Sequence, residues 1–232
     1  MRYLALASDY DGTLATDGQV DDDTKAALER LRSSGRKLIM VTGRELDDLM
    51  KVFPQVDLFD CIVAENGALL YWPKTGEEKP LGSPPPEAFV NALRERHVEP
   101  ISVGRVIVAT WHPHETTVTE VIRNLGLELQ VIFNKGAVMV LPSGINKATG
   151  LQAALGELKL SPHNVVGIGD AENDHAFLEL CGCSIAVANA LPMLKERVDL
   201  VTSGSRGAGV TELIDKLIAT DLCELGQDKS FA

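Results

Sequence analysis

The chain reads as a doubly wound α/β protein, a Rossmann-like parallel sheet covered by helices, with a smaller α+β unit inserted near its middle. Three observations predict this. Short apolar runs at 4–7, 37–41, 61–64 and 165–168 alternate with stretches of helical period, the pattern of a parallel sheet buried between helices. The alternation breaks at Pro80 to Pro86, which holds four prolines, a glycine and a serine among its residues after Pro80 is counted, a stiff linker composition. It resumes after Pro142-Ser143-Gly144. The expected division is a discontinuous core over 1–81 and 142–222, an inserted unit over 82–141, and a polar tail over 223–232.

The first run, Leu4-Ala5-Leu6-Ala7, is a buried strand that leaves the sheet at Asp9 and Asp11. Residues two apart on an extended chain point the same way, so both carboxylates can face one small space. Gly12 then lets the backbone turn. Two carboxylates that close repel, so one takes up a proton or a cation holds both. The pair therefore marks a site. Asp22 or Asp23 caps a helix reaching residue 34, with Ala27, Leu28 and Leu31 on its apolar face and Gly35 as its stop. A second strand, 37–41, ends at Thr42-Gly43-Arg44, and a helix follows over 45–52. A third strand, 61–64, turns through Glu65-Asn66-Gly67 into residues 68–71.

In the insert, a helix over 87–96 precedes strands 101–103 and 105–111, joined by a tight turn at Gly104. A helix over 114–125 then leads to strands 128–133 and 137–141, joined across Asn134-Lys135-Gly136. Helix, hairpin, helix, hairpin predicts a four-stranded, mainly antiparallel sheet. The core resumes with a helix carrying Lys147 near its start and ending near 158, and a strand over 165–168 ends at Gly169-Asp170. A helix over 173–180, a strand over 184–187, a short helix over 192–196, a strand over 199–201 and a helix over 209–219 complete it. From Asp221 the chain is polar and reads as a frayed tail or a linker stub.

Composition sets the limits. With 232 residues and 45% hydrophobic content, there is room for a sizeable core in one large domain or two. A net charge of -11, with no basic block, excludes nucleic acid and acidic membranes as partners. Cys61, Cys181, Cys183 and Cys223 show no C-x-x-C or zinc spacing, which suits reduced thiols in a cytoplasmic protein. His112 and His114 lack a third ligand at metal spacing and read as non-ligands. No apolar stretch is long enough to cross a bilayer, and the N-terminal run is too short for a signal peptide.

Asp9, Asp11, Thr42 and Asp170 all fall just after strands of one parallel sheet, where such sheets bind ligands. Three aspartates there supply hard oxygen ligands suited to Mg²⁺. Thr42 can donate to a phosphoryl oxygen and Lys147 can neutralise its charge, which completes a kit for phosphoryl transfer. Taken singly, several of these have plainer readings. Thr42-Gly43 is equally a strand-to-helix cap, Asn173 and Asp174 can cap their helix, and Arg44 reads as a surface or structural residue.

Asp9-Tyr10-Asp11-Gly12-Thr13-Leu14, Thr42-Gly43-Arg44, Lys147 and Gly169-Asp170-Ala171-Glu172-Asn173-Asp174 together resemble the four ordered motifs of the haloacid dehalogenase superfamily. Asn66-Gly67 and residues 141–150 are similar to its Cof-type phosphatases (subfamily IIB), whose C2-type cap lies between the second and third motifs. The likeness runs to about Thr220. It implies a Mg²⁺-dependent phosphatase in which Asp9 is the nucleophile, forming an aspartyl-phosphate, and Asp11 is first the acid and then the base. Mg²⁺ would be held by Asp9, the Asp11 carbonyl and Asp170, with Asp174 nearby, while Thr42 and Lys147 hold the phosphoryl group. Gly43, Asn66 and Asn173 are candidate substrate contacts.

The substrate expected is a small phosphorylated metabolite, a sugar phosphate or a phosphoglycolate-like acid. Two alternatives stand beside hydrolysis: a phosphomutase or phosphotransferase of the same superfamily, and a receiver-like phospho-aspartate signalling module. The insert and the acid/base at Asp11 favour the enzyme, because a switch must preserve its acyl phosphate. The inserted unit is a plausible lid that reads the leaving group. Arg105 is its candidate cation and Trp111 an apolar wall, on one sheet face if strand alternation holds between them.

Overall fold

The computed structural model describes residues 1–223. At its centre lies β1 (Ala5–Ser8), buried on both faces, as expected of a parallel strand covered by helices. β2 (Lys37–Val41) and β3 (Cys61–Ala64) extend the sheet in parallel on one side of it. On the other side lie β10 (Val165–Gly169), β11 (Cys183–Ala186) and β12 (Leu200–Val201), also parallel. The chain therefore winds outward from β1 in one direction and later returns to start again at its other edge. This reversal between β1 and β10 opens a crevice at their carboxyl ends. Register sets Ser8 beside Ile168, so the next residues off each strand, Asp9 and Asp170, emerge together.

α1 (Asp22–Ser33) packs on this sheet through Ala27, Leu28 and Leu31. Truncating a fully buried leucine such as Leu31 to alanine typically costs about 2–5 kcal/mol. Its cap is Asp21, one residue before the acids expected for that role. The Asp21 carboxylate accepts the Thr24 N–H at 2.7 Å, which satisfies one of the first-turn donors. α2 (Leu46–Val52) follows β2. β4 (Leu69–Trp72) and β5 (Glu77–Pro80) then fold back antiparallel to complete an eight-stranded sheet. β5 has no counterpart in the sequence reading. Its residues Glu-Glu-Lys-Pro are all exposed, so no apolar alternation marks it, and charge plus a proline is how an edge strand is kept from pairing further.

The insert carries α3 (Glu87–Glu95), β6 (Ser102–Val103), β7 (Val108–Trp111), α4 (Glu115–Asn124), β8 (Leu129–Asn134) and β9 (Ala137–Pro142). The four strands form an antiparallel sheet in the order β6-β7-β9-β8. Strand alternation divides β9 between two layers. Val138 and Val140 pack with Phe89, Leu93, Val118 and Val121 of the two helices. Met139 and Leu141 face the other way, onto Ile107 and the core residue Ala68. That second cluster seats the cap over the strand ends. β7 starts at Val108, three residues later than expected, because the N–H groups of Arg105, Val106 and Ile107 go to the Glu65 carboxylate instead of a ladder. Arg105 and Trp111 therefore do not share a strand.

The chain re-enters the core through α5 (Lys147–Leu158), and α6 (His175–Leu180), α7 (Pro192–Lys195) and α8 (Arg206–Thr220) follow. A 3-10 turn at Glu172–Asp174 precedes α6, which delays the helix expected from 173. Asp221 is not frayed: its carboxylate accepts the Arg2 N–H and Arg36 Nη2 (3.0 Å), tying the end of α8 to the start of β1. Beyond Cys223, the expected polar tail lies outside the described residues. Among those residues, no helix is long and apolar enough to cross a membrane.

Candidate active site

Asp9 follows β1 directly and is 4% exposed. Its carboxylate Oδ1 accepts from Lys147 Nζ at 2.6 Å, and the same ammonium donates to Asp174 Oδ1 at 2.5 Å. Lys147 reaches this depth because it opens α5, whose start is fixed by Asn146. The Asn146 side chain accepts the N–H groups of Ala148 and Thr149, and Thr149 Oγ1 returns a bond to the Asn146 N–H. Gly150 on α5 also lies directly on Gly67: a Cβ on Gly150 would come 2.5 Å from the Gly67 Cα. Side chains at that crossing would push the helix, and Lys147 with it, away from Asp9.

Asp174 is held by the loop it belongs to. Its Oδ2 accepts the N–H groups of Asp170 (2.8 Å) and Ala171 (2.9 Å). Oxygens of Asp9, Asp170 and Asp174 all lie within 4.8 Å of one another, the one such acidic grouping among the described residues. Burial, then the Asp174 charge, pushes the Asp9 carboxyl up to about 7, against the pull of Lys147. Burial also raises Asp170, with Lys135 opposing. Burial disfavours the Lys147 charge, yet Asp174 and Asp9 outweigh it and hold the ammonium above its ordinary value. Three buried carboxylates face two ammonium groups, Lys147 on Asp9 and Asp174 and Lys135 on Asp170, and such a cluster of hard oxygens fits a divalent cation.

Asp11 departs from the expected geometry. β1 ends at Ser8, so strand alternation does not extend to the Asp9–Asp11 pair, and the two carboxylates take different partners. Asp11 is gripped by Arg44, with Nε to Oδ2 at 2.7 Å and Nη2 to Oδ1 at 2.8 Å. The acidic triad is Asp9, Asp170 and Asp174, the last expected nearby; the Asp11 side chain, grouped with Asp9 and Asp170 by its place after a strand, stands outside it. The Asp11 backbone carbonyl faces the triad's side of the cavity and accepts from Lys135 Nζ at 3.1 Å. Gly12 must stay bare, since at φ +92° its Cβ would lie 2.4 Å from Asp170 Oδ2.

Thr42 is fully buried, and its Oγ1 accepts the Arg44 N–H at 3.1 Å. That bond leaves the hydroxyl proton to be donated elsewhere. Gly43, Asn66 and Asn173 come together: Asn173 Nδ2 donates to Asn66 Oδ1 at 3.0 Å, and both amides lie against Gly43. Asn66 Nδ2 and Asn173 Oδ1 are buried without a hydrogen-bond partner, which suits groups that meet a ligand. Between cap and core lies a cavity of about 640 Å³, lined by Asp9, Asp11, Arg44, Lys147 and Asp170 below and by Trp111, Lys135 and Met139 above. Arg105 does not line it. Its guanidinium makes four hydrogen bonds to the core carboxylates Asp47 and Glu78.

The chain matches the family model of the haloacid dehalogenase-like hydrolases over residues 6–105 and 102–214. It belongs to that family. The hydrolase is 30% identical over 223 residues to a phosphoglycolate phosphatase of Methanothermobacter thermautotrophicus, covering 92% of this chain and 98% of the relative. It is 28% identical over 231 residues to phosphoglycolate phosphatase 2 of Saccharolobus solfataricus, covering 93% of each. Among solved structures, a haloacid dehalogenase-like hydrolase from Bacteroides thetaiotaomicron superposes with a TM-score of 0.78 at 19% identity, over 93% of this chain and 99% of that one. The sucrose-phosphatase of Synechocystis superposes at 0.68 with 22% identity, over 93% and 98%. These likenesses support an α/β core with an inserted antiparallel cap.

Three residues of the site escape the sequence reading. Arg44, read as a surface or structural residue, binds Asp11 and lies 5.5 Å from the Tyr10 ring centroid. Its only sequence signal is adjacency to Thr42-Gly43. Lys135 reaches Asp170 from the cap turn, and Glu65 binds the cap loop. Both contacts join residues far apart in the chain, and no local spacing announces them.

Proposed function

We propose that this hydrolase is a Mg²⁺-dependent phosphatase acting on phosphoglycolate or a closely similar small phosphorylated acid. The enzyme is a phosphoric monoester hydrolase. The observation that carries the reading is Asp9, buried at the floor of the cavity beside Lys147 and the Asp170–Asp174 pair. Similarity to phosphoglycolate phosphatases over more than nine-tenths of the chain supports the substrate class.

Asp9, the Asp11 carbonyl and Asp170 would hold the ion, with Asp174 behind them. When bound, Mg²⁺ supplies positive charge that favours the Asp9 carboxylate and offsets the charge of the phosphoryl oxygens. Asp9 attacks phosphorus, and the bond to the leaving alkoxide breaks as Asp11 gives that oxygen a proton. Asp11 then takes a proton from water as the water attacks the aspartyl-phosphate, releasing phosphate and restoring Asp9. Lys147 and the Thr42 hydroxyl hold the transferring group, with Asn173, Asn66 and Gly43 beside it.

Phosphate release from phosphoglycolate, glucose 6-phosphate, sucrose 6-phosphate and an aryl phosphate tests this. Phosphoglycolate should lead in kcat/KM by about tenfold or more, ~1.4 kcal/mol of added transition-state binding. Chelator should stop turnover, and Asp9→Asn should abolish it in a folded protein. Preference for a sugar phosphate would overturn the substrate assignment; an active Asp9→Asn protein would overturn the site.

A further inference from the structure

We propose that Lys135, at the tip of the cap's second hairpin, is a specificity-determining residue that binds the acidic group on the leaving side of the substrate. This rests on the reading above and assigns its substrate carboxylate a partner. β8 and β9 are joined by Lys135 and Gly136 alone, at φ +48° and +87°. Two consecutive positive φ values make the tightest kind of hairpin connection, which holds its tip in a defined direction. From that tip, Lys135 Nζ crosses to the core, 2.8 Å from Asp170 Oδ2 and 3.1 Å from the Asp11 carbonyl oxygen.

Four cationic side chains line the cavity: Arg44, Lys51, Lys135 and Lys147. Arg44 is committed to Asp11 and Asp48, and Lys147 to Asp9 and Asp174. Lys51 lies on α2 in the core. Lys135 is the one that the cap contributes, and its side chain remains 47% exposed. Its two acceptors are also oxygens proposed to hold the divalent ion. An ammonium and a divalent cation repel across that distance, so both stay in the cavity only with an anion between or beside them. Lys147 and the ion engage the phosphoryl group at the floor. The substrate's second anionic group, on the side facing the cap, is then the partner left for Lys135. Such a pairing rejects an analogue that lacks the carboxylate, because the ammonium would be stranded beside the ion.

Lys135→Met keeps the length of the side chain without its charge, and Lys135→Arg keeps the charge. Both are compared with the wild type on phosphoglycolate and on 2-hydroxyethyl phosphate, which lacks the carboxylate. Binding of phosphoglycolate to each variant is also measured calorimetrically, with Mg²⁺, in an Asp9→Asn background that cannot turn over. The ratio of kcat/KM for phosphoglycolate to that for 2-hydroxyethyl phosphate should fall about 10- to 100-fold in Lys135→Met, mainly through KM. The phosphoglycolate Kd should rise by a similar factor, and Lys135→Arg should recover most of both. Equal losses on the two esters would mean that Lys135 serves the phosphoryl group, and would overturn the proposal, as would no loss on either. A wild type without preference for phosphoglycolate sinks the substrate reading itself. A wild-type preference that Lys135→Met retains removes only Lys135.

Discussion

Asp9 is kept in surroundings that oppose its charge, and this makes its titration visible in the stability of the fold. Its carboxyl rises from 3.8 to about 7, chiefly through burial and then through Asp174. Between those two values the folded chain holds a proton that the unfolded chain has shed. Stability due to this group is therefore complete below pH ~4, is lost as pH rises towards about 7, and is level above that. With chelator present, Asp9→Asn should gain on the wild type across that window in urea unfolding, and stop gaining above it. Parallel profiles for the two proteins would show that the Asp9 carboxyl is not raised. Arg44 offers a second check at this scale. Its fork fixes both oxygens of Asp11, a geometry that lysine cannot reproduce. Arg44→Lys should lower kcat about 10- to 100-fold with little change in KM, as expected for a lost positioning contact of ~1.5–3 kcal/mol. Asp9, Asp170 and Lys147 were legible in the sequence because each stands where a strand or helix of the core begins or ends. Arg44 was not, because its value lies in Asp11, 33 residues earlier.

At the scale of elements, the turn between β3 and β4 ties the two halves of the site together. Glu65 is fully buried at φ +52°, and its carboxylate accepts the N–H groups of Arg105 (2.8 Å), Val106 (2.7 Å) and Ile107 (2.9 Å). Its own N–H binds the Arg44 carbonyl, and the Asn66 N–H binds the Thr42 carbonyl. One turn thus anchors the cap loop and the end of β2. Glu65→Gln keeps the shape but places an amide donor against backbone donors. We expect a loss of about 2–4 kcal/mol in urea unfolding and faster amide exchange at 105–107. Unchanged protection there would exclude the clasp. The central strands could be read ahead because both their faces are apolar. β5 could not, and neither could the late start of β7: a strand whose amides answer to a distant carboxylate looks, in sequence, like a strand that begins earlier.

For the molecule as a whole, the question is what keeps the cap over the core. Two kinds of tie are present, and they differ in how salt affects them. The Glu65 clasp and the Met139–Leu141–Ala68 contact are buried. The Arg105 fork is different: it joins the cap to Asp47 on α2 and Glu78 on β5, with side chains 35%, 60% and 34% exposed. Exposed pairs contribute about 0–1 kcal/mol each and are screened at ordinary ionic strength. Arg105→Ala should therefore lower kcat/KM by a small, common factor, about two- to fivefold, on acidic and non-acidic esters alike. Added salt should reproduce part of that loss in the wild type and cause less further loss in the variant. The measurement is kcat/KM against salt concentration for both proteins on phosphoglycolate and 2-hydroxyethyl phosphate. A loss confined to phosphoglycolate would instead make Arg105 a substrate contact, since a tie between cap and core has no means of telling one leaving group from another.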